Sequence, residues 1–395
     1  MRPTGKLHLG HLVGALKKYR DLQAGYDCMY FVADWHALTS EYGDTTELTG
    51  YAYDNIADWI AVGVDPEQSI LFIQSQVPEH AELYLLLSMV VPKPWLERVP
   101  TYKEQIDELS DRDLSTLGFL GYPLLQAADV LIYHAEFVPV GEDQVPHLEL
   151  TREVVRRFHG FFGELFPEPQ PLLTRFPRLP GLDNRKMSKS YGNTIDLSDD
   201  AVTVRKKIMR MYTDPKRIRA DIPGTVEGNP VFIYHDAFNS NETEVNELKA
   251  RYEAGKVGDV EVKDCLARAV NEVLDPIRER RAEIAAKPDQ IQEILLDGSS
   301  RARTIAQETM KDVRDADSDD MNYDDCGKVL AGEVAVQTLT MDAGALVLFR
   351  GRNSMHRVTP AKGLRTRMLV VMAYNAEPGI PLSESARMTF YGRLS

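Results

Sequence analysis

The stretch Pro3-Thr4-Gly5-Lys6-Leu7-His8-Leu9-Gly10-His11-Leu12-Val13-Gly14-Ala15-Leu16 sets a turn against the start of an apolar helix, with two histidines three residues apart and a glycine between them. At a helix N-terminus His8 and His11 share one face, and Gly10 leaves room for a flat ring to come against the backbone. The arrangement suits ATP. On its own, however, His-x-x-His on a helix is more often a surface feature or a metal pair.

Outward from this stretch, to about residue 182, short apolar runs alternate with amphipathic ones. Residues 28–33, 69–73 and 137–140 read as strands, with helical spacing over 46–62 and 122–133 between them. That alternation predicts a Rossmann-like parallel sheet flanked by helices. After Ser190 the pattern becomes helical, over 201–212, 242–254, 260–286 and 289–313. Residues 315–325 then hold six aspartates and no base, which predicts a solvated linker. Beyond it, 334–339, 346–349 and 367–374 read as strands separated by turns, a partial β appendage of half jelly-roll type. The expected division is therefore 1–194, 195–314, the acidic linker 315–325, and 326–395.

A chain of 395 residues, 43% hydrophobic and 27% charged, buries large cores and is neither disordered nor fibrous. Its formal charge of −14 argues against indiscriminate nucleic-acid binding, though a local basic face remains open. Three separated cysteines, Cys28, Cys265 and Cys326, make neither a disulfide framework nor a cysteine zinc site. With no membrane-length apolar run and no secretory core at the start, the cytoplasm is the expected compartment.

A second loop, Asp183-Asn184-Arg185-Lys186-Met187-Ser188-Lys189-Ser190-Tyr191-Gly192-Asn193, carries two lysines and two hydroxyls beside an arginine. Ammonium groups on a mobile loop follow charge moving onto a departing pyrophosphate, although any Lys/Ser stretch also describes a plain solvated loop.

Together, His-Leu-Gly-His near the start and Lys-Met-Ser-Lys-Ser in the middle resemble the class I aminoacyl-tRNA synthetases, and the intervening segments resemble the tryptophan members over residues 1 to about 314. The resemblance rests on Ala33-Asp34-Trp35-His36-Ala37-Leu38-Thr39, Tyr122-Pro123-Leu124-Leu125-Gln126-Ala127-Ala128-Asp129 and Val138-Pro139-Val140-Gly141-Glu142-Asp143-Gln144. It implies tryptophan activation by ATP with Mg²⁺, transfer to tRNA(Trp), a helical tRNA-binding domain and a homodimer. It further implies His8, His11, Lys186 and Lys189 as catalytic. ATP would be held by Arg2, Pro3, Thr4, Gly10, His11, Gly141, Glu142, Asp143, Leu179, Lys186, Met187, Ser188, Lys189 and Ser190. Tryptophan would be held by Asp129, Tyr122, Gln126 and Gln144, with Asp129 accepting the indole N–H. A buried carboxylate in an otherwise apolar slot favours a ligand with one N–H, because phenylalanine would leave it unpaired. Gln126 equally suits a structural hydrogen bond, and Trp35 and Trp95 read as core. Arg205, Lys206, Lys207, Arg210, Lys216, Arg217 and Arg219 form the candidate basic face for tRNA.

The sequence departs from the family twice. Relatives carry an apolar strand before the Arg-Pro-Thr-Gly turn, and here the chain begins at the turn, so the first strand is expected to be missing and Arg2 to be an untethered end. That loss is expected to cost several kcal/mol of a stability of about 5–15. It supports the rival reading, an inactive or regulatory paralogue. The tail 344–360, with Arg365 and Arg367, resembles the distal half of an iron(II)/2-oxoglutarate oxygenase. There His356 would be the distal iron ligand and Arg365, or Arg367, the 2-oxoglutarate grip. Residues 315–355 contain no histidine to complete the triad, so the tail is expected to hold no metal and to be inert.

Overall fold

A computed structural model of the chain describes residues 1–100, 102, 114–173, 179–187, 191–215, 217 and 219–316, within a compact unit running from Met1 to Asp317. Ser188, Lys189, Ser190, Lys216, most of the acidic linker and the whole tail, with His356, Arg365 and Arg367, lie outside the described residues.

The expected strands form where β-branched and aromatic residues alternate between turns. β1 (Cys28–Val32) pairs in parallel with β2 (Ser69–Ile73), Tyr30 opposite Leu71, and β3 (Phe137–Val140) pairs in parallel with β4 (Gln170–Leu173). Parallel strands need long crossovers, and helices supply them. The chain opens with α1 (Leu9–His11), a π-helical turn (Leu12–Leu16) and α2 (Lys17–Leu22). α3 (Asp34–Glu41) and α4 (Leu48–Val62) join β1 to β2. α5 (Glu79–Ser88), α6 (Lys93–Glu97) and α7 (Leu117–Leu131) lead to β3, and α8 (Val145–Phe162) joins β3 to β4. The later part of the described chain is helical: α9 (Ala201–Met209), α10 (Pro230–Phe238), α11 (Glu242–Glu253), α12 (Asp259–Ala285) and α13 (Pro288–Asp315). Among the described residues no helix is long and apolar enough to cross a membrane.

The two-residue period of a strand sends its side chains to two cores. Cys28, Tyr30, Val32 and Leu71 pack with the π-helical turn, α4 and the helices from α9 onward. On the other face Phe72, with Met29, Phe31 and Ile70 at its margin, packs with α5, α7, α8 and α13. α13 lies on β2 closely enough that a Cβ at Gly298 would stand 1.9 Å from the Leu71 carbonyl oxygen, so only glycine fits there. Ser299 Oγ donates to Gln76 Oε1 at 2.6 Å and Arg303 pairs with Glu79 at 2.9 Å, fixing the register of the helix.

Arg2 is not carried on a loose end. The Met1 amino group donates to the Phe31 carbonyl at 2.6 Å, and the Ala33 N–H donates to the Met1 carbonyl at 2.8 Å, so the residue before Arg2 is tied to the carboxyl end of β1.

Candidate active site at the carboxyl ends of β1 and β2

From Met1 the chain turns through Pro3 and Gly5, whose φ of 127° is open to glycine, and reaches His8. His8 caps α1: its Nδ1 accepts from the Gly10 N–H at 3.1 Å, while its own N–H donates to His11 Nδ1 at 3.1 Å. The reciprocal pair fixes the two rings 3.8 Å apart, centroid to centroid. The π-helical turn follows at once, a geometry that is rare and tends to occur at functional sites.

The lysine loop is delivered to the same place by its own stem. Pro180 bridges Lys186, the Gly181 N–H donates to Arg185 O at 2.7 Å, and Asn193 Nδ2 donates to Asp183 Oδ1 at 2.8 Å and to Lys186 O at 3.1 Å. Asn193, and then Arg185, hold the Asp183 carboxyl down at about 2. Past the loop, Leu9 N–H donates to Ile195 O and Leu197 N–H to Leu7 O, both at 2.9 Å, so His8 lies in a short antiparallel bridge with Asp196. The two motifs meet directly: a Cβ on Gly10 would stand 2.8 Å from Met187 Sδ and 2.9 Å from His8 Cε1. Lys186 is exposed and Leu179 is buried beneath the stem.

Asp129, on the last turns of α7, is 5% exposed. The slot around it is not otherwise apolar, which corrects the expectation. Its Oδ2 meets His36 Nε2 at 2.7 Å, and its Oδ1 takes Gln74 Nε2 at 2.7 Å and His80 Nδ1 at 2.6 Å. Burial pushes the Asp129 carboxyl up, but the charge and hydrogen bonds of His36 and His80 outweigh it and hold it below the usual carboxylate range. His36 follows β1 and Gln74 follows β2, so this cluster lies off the carboxyl ends of those strands. That is the end to which the Met1–Ala33 hydrogen bond brings the turn of residues 2–5.

Gly141, Glu142, Asp143 and Gln144 form the turn between β3 and α8. A Cβ on Gly141 would stand 2.6 Å from Asp143 Oδ1, the end of an exposed side chain, and Gln144 Nε2 donates to Asp143 Oδ2 at 2.9 Å. Tyr122 is buried with its ring 5.6 Å from that of His147, one turn into α8. Burial, then the neighbouring His36, lowers the His147 imidazole to about 4, against the opposing charge of Asp143. Gln126 is half-buried on the same helix as Asp129. Sequence reading missed His80, Gln74, Tyr133 and His147. Of these Tyr133 was open to it, four residues beyond Asp129 and so one helical turn on.

The candidate basic face is partly dismantled. Arg217 is buried, with its guanidinium 3.9 Å from the Tyr252 ring centroid and 3.0 Å from Asp259, so it holds the fold together. Arg219 pairs with Asp221, Lys207 with Asp199 and Arg205 with Asp264. Arg205, Lys206, Arg210 and Arg268 still line an open groove between α9 and α12.

The family of tRNA synthetases class I (W and Y) matches residues 1–275. The chain is 51% identical over 317 residues to the tryptophan–tRNA ligase of Thermotoga maritima, covering 80% of this chain and 97% of that one. It is 43% identical over 385 residues to the tryptophan–tRNA ligase of Aquifex aeolicus, covering 80% and 98%. Among solved structures it resembles the Campylobacter jejuni tryptophanyl-tRNA synthetase complexed with ADP and tryptophan, with TM-score 0.72, 34% identity and coverage of 83% and 98%. The Archaeoglobus fulgidus tyrosyl-tRNA synthetase complexed with L-tyrosine is more distant, with TM-score 0.56, 26% identity and coverage of 71% and 88%.

Proposed function

The chain belongs to the class I tRNA synthetases of the W and Y family, and on that footing we infer that it is a tryptophan–tRNA ligase. It activates L-tryptophan with ATP to tryptophanyl-adenylate and passes the aminoacyl group to tRNA(Trp). The observation that supports the reading is the approach of the two sequence motifs, Gly10 against Met187, close enough for one nucleotide to be shared by both.

The tryptophan carboxylate attacks the α-phosphorus in line and pyrophosphate leaves, so no covalent protein nucleophile is needed. The protein's work is positioning and charge stabilisation. In this reading Arg2, Pro3, Thr4, Gly10, His11 and Leu179 receive the adenosine and phosphates. Gly141, Glu142 and Asp143 line the ribose side. Lys186, Lys189, Met187, Ser188 and Ser190 follow the departing pyrophosphate, with His8 and His11 opposite. Asp129 accepts the indole N–H, and Tyr122, Gln126 and Gln144 complete the amino-acid pocket. Mg²⁺ neutralises phosphate charge and arrives with ATP. tRNA lies along Arg205, Lys206 and Arg210. The working form is a cytoplasmic homodimer, with domains divided near residue 194. The match to the Thermotoga relative covers 80% of this chain and 97% of that one, which supports a reading in which ligation is carried without the tail.

ATP–pyrophosphate exchange with tryptophan and then tyrosine tests the assignment. Exchange with tryptophan, and at least about 100-fold less with tyrosine, is expected. No exchange with either would establish the inactive paralogue instead.

A further inference from the structure

His80 is fully buried among aromatic rings, with centroids 5.7 Å from Phe31, 6.1 Å from Phe72 and 5.3 Å from Tyr133. A polar ring in such a place costs free energy unless both nitrogens are used. Both are: Nδ1 meets Asp129 Oδ1 at 2.6 Å and Nε2 meets the Tyr133 hydroxyl at 2.7 Å.

The directions of these bonds follow from chemistry. An ionised carboxylate only accepts, so His80 Nδ1 carries the hydrogen. The carboxylate thus fixes the hydrogen on Nδ1, and the Tyr133 hydroxyl, which can donate to a lone pair or accept from an N–H, satisfies and anchors the ring at Nε2. Without Tyr133 a fully buried nitrogen is left unpaired and the ring is held from one end only. The consequence reaches the carboxylate. About four acceptor positions exist on a carboxylate; Gln74 and His80 fill Oδ1, and His36 takes one place on Oδ2. One acceptor position on Oδ2 is left.

We propose that His80, with its ring anchored at Nε2 by Tyr133, is a positioning residue for substrate selection: it saturates Oδ1 and holds Asp129 so that the remaining lone pair of Oδ2 faces the indole N–H. This rests on the reading that Asp129 accepts that N–H, and the experiment separates the two.

Pyrophosphate exchange is measured with tryptophan and with β-(3-benzothienyl)alanine, an isostere in which sulfur replaces the indole N–H. The parent enzyme prefers tryptophan by roughly 10-fold or more in kcat/KM, the worth of one hydrogen bond to a charged group. Tyr133→Phe collapses that preference by about 10-fold through the tryptophan KM, with the analogue KM, the ATP KM and kcat within about two-fold. His80→Asn, whose amide donates without help from a phenol, retains the preference, and adding Tyr133→Phe to it changes nothing further. A Tyr133→Phe enzyme that keeps the full preference, or loses both amino acids equally, overturns the proposal. A parent enzyme with no preference overturns the Asp129 reading and the proposal with it.

Discussion

Replacing Gly10 by alanine tests the junction of the two motifs in a single methyl group. The added Cβ would stand 2.8 Å from Met187 Sδ, 2.9 Å from His8 Cε1 and 3.0 Å from His8 Nδ1. Met187 is an unbranched side chain that swings clear at little cost. His8 has no such freedom, because its Nδ1 accepts from the Gly10 N–H and its ring lies 3.8 Å from that of His11. The ring therefore moves, and the hydrogen bond it would give a phosphate is lost. One charge-assisted hydrogen bond absent from the transition state corresponds to about 1.5–3 kcal/mol, a fall in kcat of roughly 10- to 100-fold. The fold does not suffer equally, since alanine favours a helix over glycine by about 1 kcal/mol. Pyrophosphate exchange should show the lost kcat while thermal unfolding stays near the parent Tm. Gly10→Ala combined with Met187→Ala should remain as slow, because the conflict lies with the imidazole. If Gly10→Ala keeps kcat and the ATP KM within two-fold, or Met187→Ala restores the double variant, the geometry assigned to His8 is wrong.

Gly298→Ala pushes α13 off the backbone of β2. A contact of 1.9 Å to a carbonyl oxygen has no flexible end to yield, so a loss of about 3 kcal/mol and a Tm lower by roughly 6–10 °C are expected. A Tm within 1 °C of the parent would show that the helix has room. The His147 imidazole, lowered to about 4 chiefly by burial, stays neutral in the fold while the unfolded chain takes up its proton near 6.5. Its contribution is complete above pH 6.5 and is lost progressively as pH falls toward 4, by about 3 kcal/mol in all. His147→Gln should therefore flatten the Tm between pH 7 and 4.5 relative to the parent; parallel curves would refute it.

What could be read from the sequence was what is local. β1, β2 and β3 sit at the runs where apolar residues end in turns, and the helices at 242–253 and 259–285 sit where apolar residues recur at helical spacing, the second running on through Pro276. β4 escaped because Pro169 and Pro171 flank Gln170, and its strand character comes from pairing with β3 rather than from its own residues. The spacing of the two phosphate motifs named a chemistry, while their meeting depends on the returning segment 195–197. Asp129 stood out as a carboxylate on an apolar helix, yet its partners arrive from residues 36, 74 and 80, and no local pattern announces them. Arg217 illustrates the converse: a basic residue among basic residues, turned inward by Asp259 and the face of Tyr252.

The seat of α13 on β2 also sets a schedule for biosynthesis. Leu71 leaves the ribosome long before Gly298, about 230 residues and some 10–45 s of translation earlier at ordinary elongation rates. For that interval Phe72 and its neighbours lack the helix that covers them in the finished fold, leaving apolar surface exposed to other chains. An enzyme that supplies the ribosome with an amino acid thus closes this core only late in its own translation, when α13 emerges.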